Sequence, residues 1–182
     1  MLESDYRREM LNEWAKHCLK DSGHTIPDNL KLEIISGDAS FRRYFRMESI
    51  PSYIFVDAPP EKESCKQFVE LAKIISRAGL NVPKIFATDF KRGFLMISDL
   101  GNILYLDRLK EGTGAEIENL YGDSLAALLR LQQIKCDLPF FSQDLLLQEM
   151  NLITDWFLKR ELNISNYKES GFKEVLEVMQ TN

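Results

Sequence analysis

Between Leu2 and Leu19 the apolar residues Tyr6, Met10, Leu11, Trp14, Ala15, Cys18 and Leu19 recur every three or four positions, the stripe of an amphipathic helix. Asp21-Ser22-Gly23 stops it. The period then shortens. Glu33–Ser36 and Phe41–Met47 alternate or cluster β-branched and aromatic residues around the turn Gly37-Asp38-Ala39-Ser40, which predicts a hairpin. Tyr53-Ile54-Phe55-Val56 predicts a third strand, ended by Asp57-Ala58-Pro59-Pro60, where two prolines cannot continue a ladder. Glu61–Ala78 returns to helical spacing, with Phe68, Leu71, Ala72 and Ile75 on one face and Gly79 as the residue after the cap. Pro83–Thr88 and Gly93–Ile97 complete five strands, joined by a turn over Asp89–Arg92.

Beyond Gly101 the pattern is helical throughout. A short helix is predicted over Ile103–Leu109 and a longer one over Ile117–Ile134, whose Leu120, Leu125, Leu128, Leu129 and Leu131 form a broad apolar face. A third runs over Leu145–Leu162, with Met150, Leu152, Ile153, Trp156, Phe157 and Leu162 as buried candidates, and Phe172–Met179 suggests a last one. Strands followed by helices indicate an α+β chain or two lobes, with the joint at Ser98–Asn102.

Composition narrows the classes. The 182 residues suffice for one domain with a sizeable core or for two small lobes. A net charge of −5 disfavours a broad electrostatic face for nucleic acid. Cys18, Cys65 and Cys136 are odd in number and lack C-x-x-C spacing, so no disulfide framework or zinc site is indicated and a cytoplasmic setting suits them. No apolar run is long enough to span a membrane. His17 and His24 are the only histidines and have no partners at ligand spacing.

The hairpin holds the candidate chemistry. Gly37 permits a tight backbone, Ala39 and Ser40 are small, and successive N–H groups in such a turn make an anion-binding concavity. With period 2, Arg42, Tyr44 and Arg46 share one face of the second strand and Arg43, Phe45 and Met47 the other. The residues alone leave two readings open: a turn laid over phosphates, or an exposed hairpin with solvated arginines.

The block GDASFRRYFR resembles the glycine-loop region of the aminoglycoside phosphotransferase and choline kinase group, which has a protein-kinase-like fold. The resemblance continues through VDAPPE at Val56–Glu61, LNVPKIFATD at Leu80–Asp89 and GFLMISDLG at Gly93–Gly101, and within the group it is nearest the bacterial anomeric kinases of N-acetylmuramate and N-acetylglucosamine used in cell-wall recycling. It implies a five-stranded antiparallel N-lobe with one helix over residues 29–101, preceded by a helical segment 1–28 and followed over 102–182 by the first helices of an incomplete C-lobe.

It also implies a site for ATP and Mg²⁺, with an amino sugar as acceptor. Adenine would lie against the backbone of Ser98, Asp99 and Leu100; without the resemblance, this stretch reads as a plain strand-to-helix turn with Asp99 as the helix cap. The phosphates would lie on the turn that Gly37 tightens and meet the backbone of Asp38, Ala39 and Ser40, the Ser40 hydroxyl and one or more arginines. Tyr44 would lie over the base and Phe41 would exclude water, or both would simply pack. Asp38 would pair with an arginine or meet Mg²⁺.

Two departures matter. The group carries a basic residue on the third strand paired to a Glu on the next helix. Here Asp57 falls at the basic position and Phe68 near the acidic one, so an arginine of the second strand, Arg43 first and Arg42 next, must supply the charge, while Glu63 and Glu70 read as solvated. Secondly, no histidine follows His24, and the His-x-Asp catalytic loop has no counterpart. The chain is therefore expected to bind nucleotide without turning it over, its Mg²⁺ ligands lying mainly outside these residues, and to self-associate through the helices over Ile117–Leu162. Two other readings stand beside this one: a non-catalytic nucleotide- or protein-binding module, and a helical protein whose Trp14, Trp156 and Phe157 bind a partner.

Overall fold

The computed structural model describes residues 5–23, 30–37, 40–47, 51–138 and 142–164. It contains, in order, α1 (Tyr6–Asp21), β1 (Glu33–Gly37), β2 (Arg43–Met47), β3 (Tyr53–Asp57), α2 (Cys65–Arg77), β4 (Ile85–Asp89), β5 (Phe94–Ser98), α3 (Tyr105–Glu111), α4 (Gly114–Gln132) and α5 (Gln143–Leu152), which runs into a π-helical stretch over Ile153–Glu161. The helix suggested over Phe172–Met179 lies outside the described residues. The chain divides into two compact units, Met1–Lys135 and Cys136–Asn182. The first holds the sheet and α1–α4; the second holds α5 and the π-helical stretch.

The five strands form one antiparallel sheet in the order β1-β2-β3-β5-β4. Its middle strands are apolar without alternation, every residue of β3 and Phe94–Ile97 of β5 being buried, because a helix covers each face. On one face α1 lays Leu11, Trp14, Ala15, Cys18 and Leu19 against Phe45, Met47, Tyr53, Phe55, Phe94 and Met96. On the other, Cys65 and Val69 of α2 meet Ile54, Val56, Leu95 and Ile97, with Tyr44 and Phe68 half-buried at the margin. Phe45, Phe55 and Phe94 are almost wholly enclosed, and burying such a ring contributes about 1.5–3 kcal/mol. Trp14 belongs to this core, its ring 6.2 Å from that of Phe55, and so is no surface for a partner.

Local signals place the ends of α1 and α2. Asp5 caps α1, accepting from the Arg8 N–H at 3.1 Å. The helix predicted from Glu61 starts at Cys65, because the Ser64 side chain accepts from the Gln67 N–H and caps it there. It ends on Gly79 at φ +75°, where the Gly79 and Leu80 N–H groups reach back to the Ser76 and Ile75 carbonyls, a paired closure that only a left-handed residue completes.

Burial of the later helices differs from their patterning. Leu125, Leu128, Leu129 and Leu131 of α4 are exposed, as are Leu152, Ile153, Trp156, Phe157 and Leu162 in the second unit, where Thr154 is the buried residue. The apolar faces exist, yet no described residue buries them.

Candidate phosphate and nucleotide site

The residues singled out in the sequence separate onto the two faces of the sheet. Asp57 ends β3 opposite Arg43 in the β2 register, and both point toward α1. The Asp57 carboxylate is fully buried. Its Oδ1 accepts from Arg7 Nε at 2.9 Å and Nη2 at 2.5 Å, and its Oδ2 from Arg43 Nε at 2.9 Å and Nη2 at 2.5 Å. Arg43 also binds the Asp5 carboxylate, which its guanidinium holds below the usual carboxylate range, while Asp5 in turn raises the Arg43 pKa. Arg7 stacks over Phe94 at 5.3 Å and Arg43 over Phe45 at 5.6 Å. A line of alternating charges, Asp5–Arg43–Asp57–Arg7, therefore ties α1 to the sheet. Asp57 and Arg43, expected beside the nucleotide, are partners of α1 in this arrangement.

Arg42 lies on the opposite face. Its guanidinium meets Glu63 Oε2 at 2.8 Å and lies over the Phe68 ring at 5.6 Å, and its N–H donates to Ser40 Oγ at 3.1 Å. Glu63 Oε1 accepts from the Phe41 N–H at 3.3 Å, and Lys62 Nζ sits 4.2 Å from the Phe41 ring centroid. The turn before β2 is thus fastened to the segment leading into α2. Glu63 is not the solvated residue expected: its side chain is only 16% exposed. An ion pair does span strand and helix on this face, with the cation on β2's approach and the acid just ahead of α2. Glu70 is exposed. Tyr44 shares this face, half-buried beside Ile54 and Val56. Gly37 ends β1; Asp38 and Ala39 lie outside the described residues.

The segment after β5 is pinned by side chains. Arg46 makes a bidentate pair with Asp99, Nε to Oδ2 at 2.7 Å and Nη2 to Oδ1 at 2.9 Å, and also reaches Asn102 and the Gly101 carbonyl. Asp99 further accepts from Ser52 Oγ and the Gly101 N–H. The Arg46 hydrogen bonds pull its pKa down to about 2. Asp99 caps no helix, since α3 begins at Tyr105 after Leu104; it closes the turn. Ser98 Oγ accepts from the Lys84 N–H, and Leu100 is exposed. These bonds fix the backbone that follows β5.

Donors suited to phosphate are therefore present at Phe41 and Arg42. Among the described residues no three His, Cys, Asp or Glu side chains converge on one point. A hollow of about 440 Å³ bordered by Arg108, Glu116 and Asp123 shares no residue with this site. Sequence reasoning missed Arg7, Asp5 and Glu63, whose partners lie between 21 and 50 residues away in the chain and leave no local signal.

Comparison with known proteins agrees with this architecture. The chain is 38% identical over 170 residues to the N-acetylmuramate/N-acetylglucosamine kinase of Pseudomonas aeruginosa, covering 90% of this chain and 49% of that protein. It is 37% identical over 175 residues to the protein of the same name from Pseudomonas putida, covering 91% and 50%, and 31% identical over 148 residues to that of Neisseria meningitidis serogroup B, covering 79% and 42%. The chain thus spans about half the length of these relatives. Among solved structures it resembles the streptomycin–ATP–APH(2")-IIa ternary complex, with a TM-score of 0.57 at 17% identity, covering 97% of this chain and 58% of that one, which establishes a fold of the protein-kinase-like type. Residues 31–177 match the model of the phosphotransferase enzyme family, and the chain belongs to that family.

Proposed function

We propose that these residues form the nucleotide-binding part of an ATP-dependent kinase that phosphorylates the anomeric hydroxyl of N-acetylmuramate or N-acetylglucosamine in cell-wall recycling. The observation that carries this is the Arg42 guanidinium and Phe41 N–H, held together at the mouth of the hairpin on the α2 face, in a chain 37–38% identical to kinases named for those sugars. ATP would place its phosphates against the turn Gly37–Phe41 and Arg42, with Tyr44 toward the base and the pinned Ser98-Asp99-Leu100 backbone along the adenine edge. Arg42 replaces Arg43 as the leading phosphate ligand, because Arg43 is committed to Asp5 and Asp57 on the other face.

In this proposal these 182 residues bind nucleotide and turnover needs groups that they do not contain, since no His-x-Asp loop follows His24. No described helix is long and apolar enough to cross a membrane, and the proposed setting is the cytoplasm. The exposed leucines of α4 support self-association, which light scattering over micromolar concentrations checks.

The test compares ATP with adenosine by isothermal titration. Arg42→Gln should lose about tenfold in ATP affinity, the worth of one charge-assisted hydrogen bond, and keep adenosine affinity. Equal ATP affinity in wild type and Arg42→Gln refutes the assignment. In a protein of the relatives' full length, phosphorus NMR should show the sugar 1-phosphate; a 6-phosphate product refutes the anomeric reading.

A further inference from the structure

One carboxylate, that of Glu63, receives two donors of the kind a phosphate takes. Oε1 accepts from the Phe41 main-chain N–H at 3.3 Å and Oε2 pairs with Arg42 Nη2 at 2.8 Å. Main-chain N–H groups of a turn and a guanidinium fork are the pair of donors by which proteins hold phosphate oxygens. The cation also lies over the Phe68 ring at 5.6 Å, so its position does not depend on Glu63 alone. Glu63 itself lies in the turn ahead of α2, where the Lys62 and Glu63 N–H groups close on the Pro59 carbonyl and the Ser64 cap follows. Glu63 belongs to neither helix nor strand, so its departure from the hairpin would break no element.

The structure assigns the Phe41 N–H and Arg42 guanidinium as an anion subsite that Glu63 fills from within the chain, and that a phosphate of a bound nucleoside diphosphate or triphosphate takes over by displacing Glu63. This rests on the nucleotide reading above and adds a competitor to it. Without nucleotide, the carboxylate neutralises Arg42 and fastens the hairpin to the approach to α2. With nucleotide, the phosphate must first win both donors from Glu63 and then tolerate the displaced negative charge nearby. Glu63 thereby lowers affinity for phosphate-bearing ligands selectively: adenosine, which carries no phosphate, does not meet it.

The experiment uses the 182-residue chain, with ADP and adenosine as probes at fixed ionic strength. Glu63→Gln keeps the side chain's size and removes the competing charge, and it should bind ADP about fivefold or more tightly than wild type, the scale of a partly exposed ion pair, with adenosine unchanged. Glu61→Gln makes the same change in net charge at an exposed position two residues earlier and should leave ADP affinity where it was. ADP affinity that is unchanged or weaker in Glu63→Gln overturns the proposal, since Glu63 then only orients Arg42. An equal gain in Glu61→Gln also overturns it, because the effect is then the general field and not competition at the subsite. If wild type and the Arg42→Gln variant both bind ADP and adenosine alike, the nucleotide reading itself fails and the subsite with it. An ADP preference in wild type that Glu63→Gln leaves untouched removes the subsite alone.

Discussion

Replacing Asp57 by Asn tests whether this carboxylate serves the fold or the nucleotide. Four N–H groups from Arg7 and Arg43 converge on an acid with no exposed surface. Asn keeps the volume and one acceptor oxygen, but it removes the charge and turns an amide donor toward a guanidinium. Removing one member of a buried ion pair costs about 3–5 kcal/mol, chiefly because the other is left buried and uncompensated. Here the two arginines are 28% and 31% exposed, and Arg43 retains Asp5, so the loss belongs at the lower end, about 3 kcal/mol. With a urea slope of about 2 kcal/mol per molar, the midpoint should fall by roughly 1.5 M. Trp14 reports the event directly, because it lies in the contact between α1 and the sheet, 5.8 Å from Phe94. The other tryptophan, Trp156, is exposed in the second unit and is best changed to Phe in the background used for fluorescence. A midpoint shift below about 0.3 M, under 1 kcal/mol at that slope, would refute the structural role. Were ATP affinity to fall at the same time, Asp57 would face the nucleotide, as its place at the family's basic position implied.

Three further outcomes are expected. Asp99 has a folded-state pKa depressed to about 2 by Arg46, so its contribution is present above the unfolded value near 3.8 and is lost as pH falls from there through about 2. The shift is worth about 2 kcal/mol, and Asp99→Asn should flatten the stability profile between pH 4 and 2 relative to wild type; parallel profiles would count against the Arg46 clamp. Gly93 has φ +77° and an added Cβ would stand 1.9 Å from the Ala58 carbonyl oxygen, so Gly93→Ala should destabilise by more than about 1 kcal/mol, and a wild-type melting temperature would show the turn to be looser than described. A thiol reagent should label Cys136, which is exposed, rapidly, and should reach Cys18 and Cys65 only on denaturation, since burial pushes Cys18 up to about 11 and raises Cys65 as well; rapid labelling of more than one thiol in the native chain would refute this.

Residue order by itself determined the elements and their kinds. The stripe from Tyr6 to Leu19, the short apolar runs of the five strands and the glycine after α2 are local signals, set by side-chain periods of 3.6 and 2 and by the few residues that accept positive φ. The motifs from Gly37 to Gly101 carried the family for the same reason, being contiguous runs that can be read without knowing what they touch. Alternation also put Arg42 and Arg43 on opposite sides of the sheet. Which face meets which helix is not local information. Only the packing of α1 against Phe55 and Phe94 turned Arg43 and Asp57 toward Arg7 and Asp5, and only the approach to α2 brought Glu63 to Arg42. Such pairs join residues between 14 and 50 positions apart in the chain. No periodicity spans that distance, and the burial that makes loss of an Asp57 partner costly arises only once the core has closed around it.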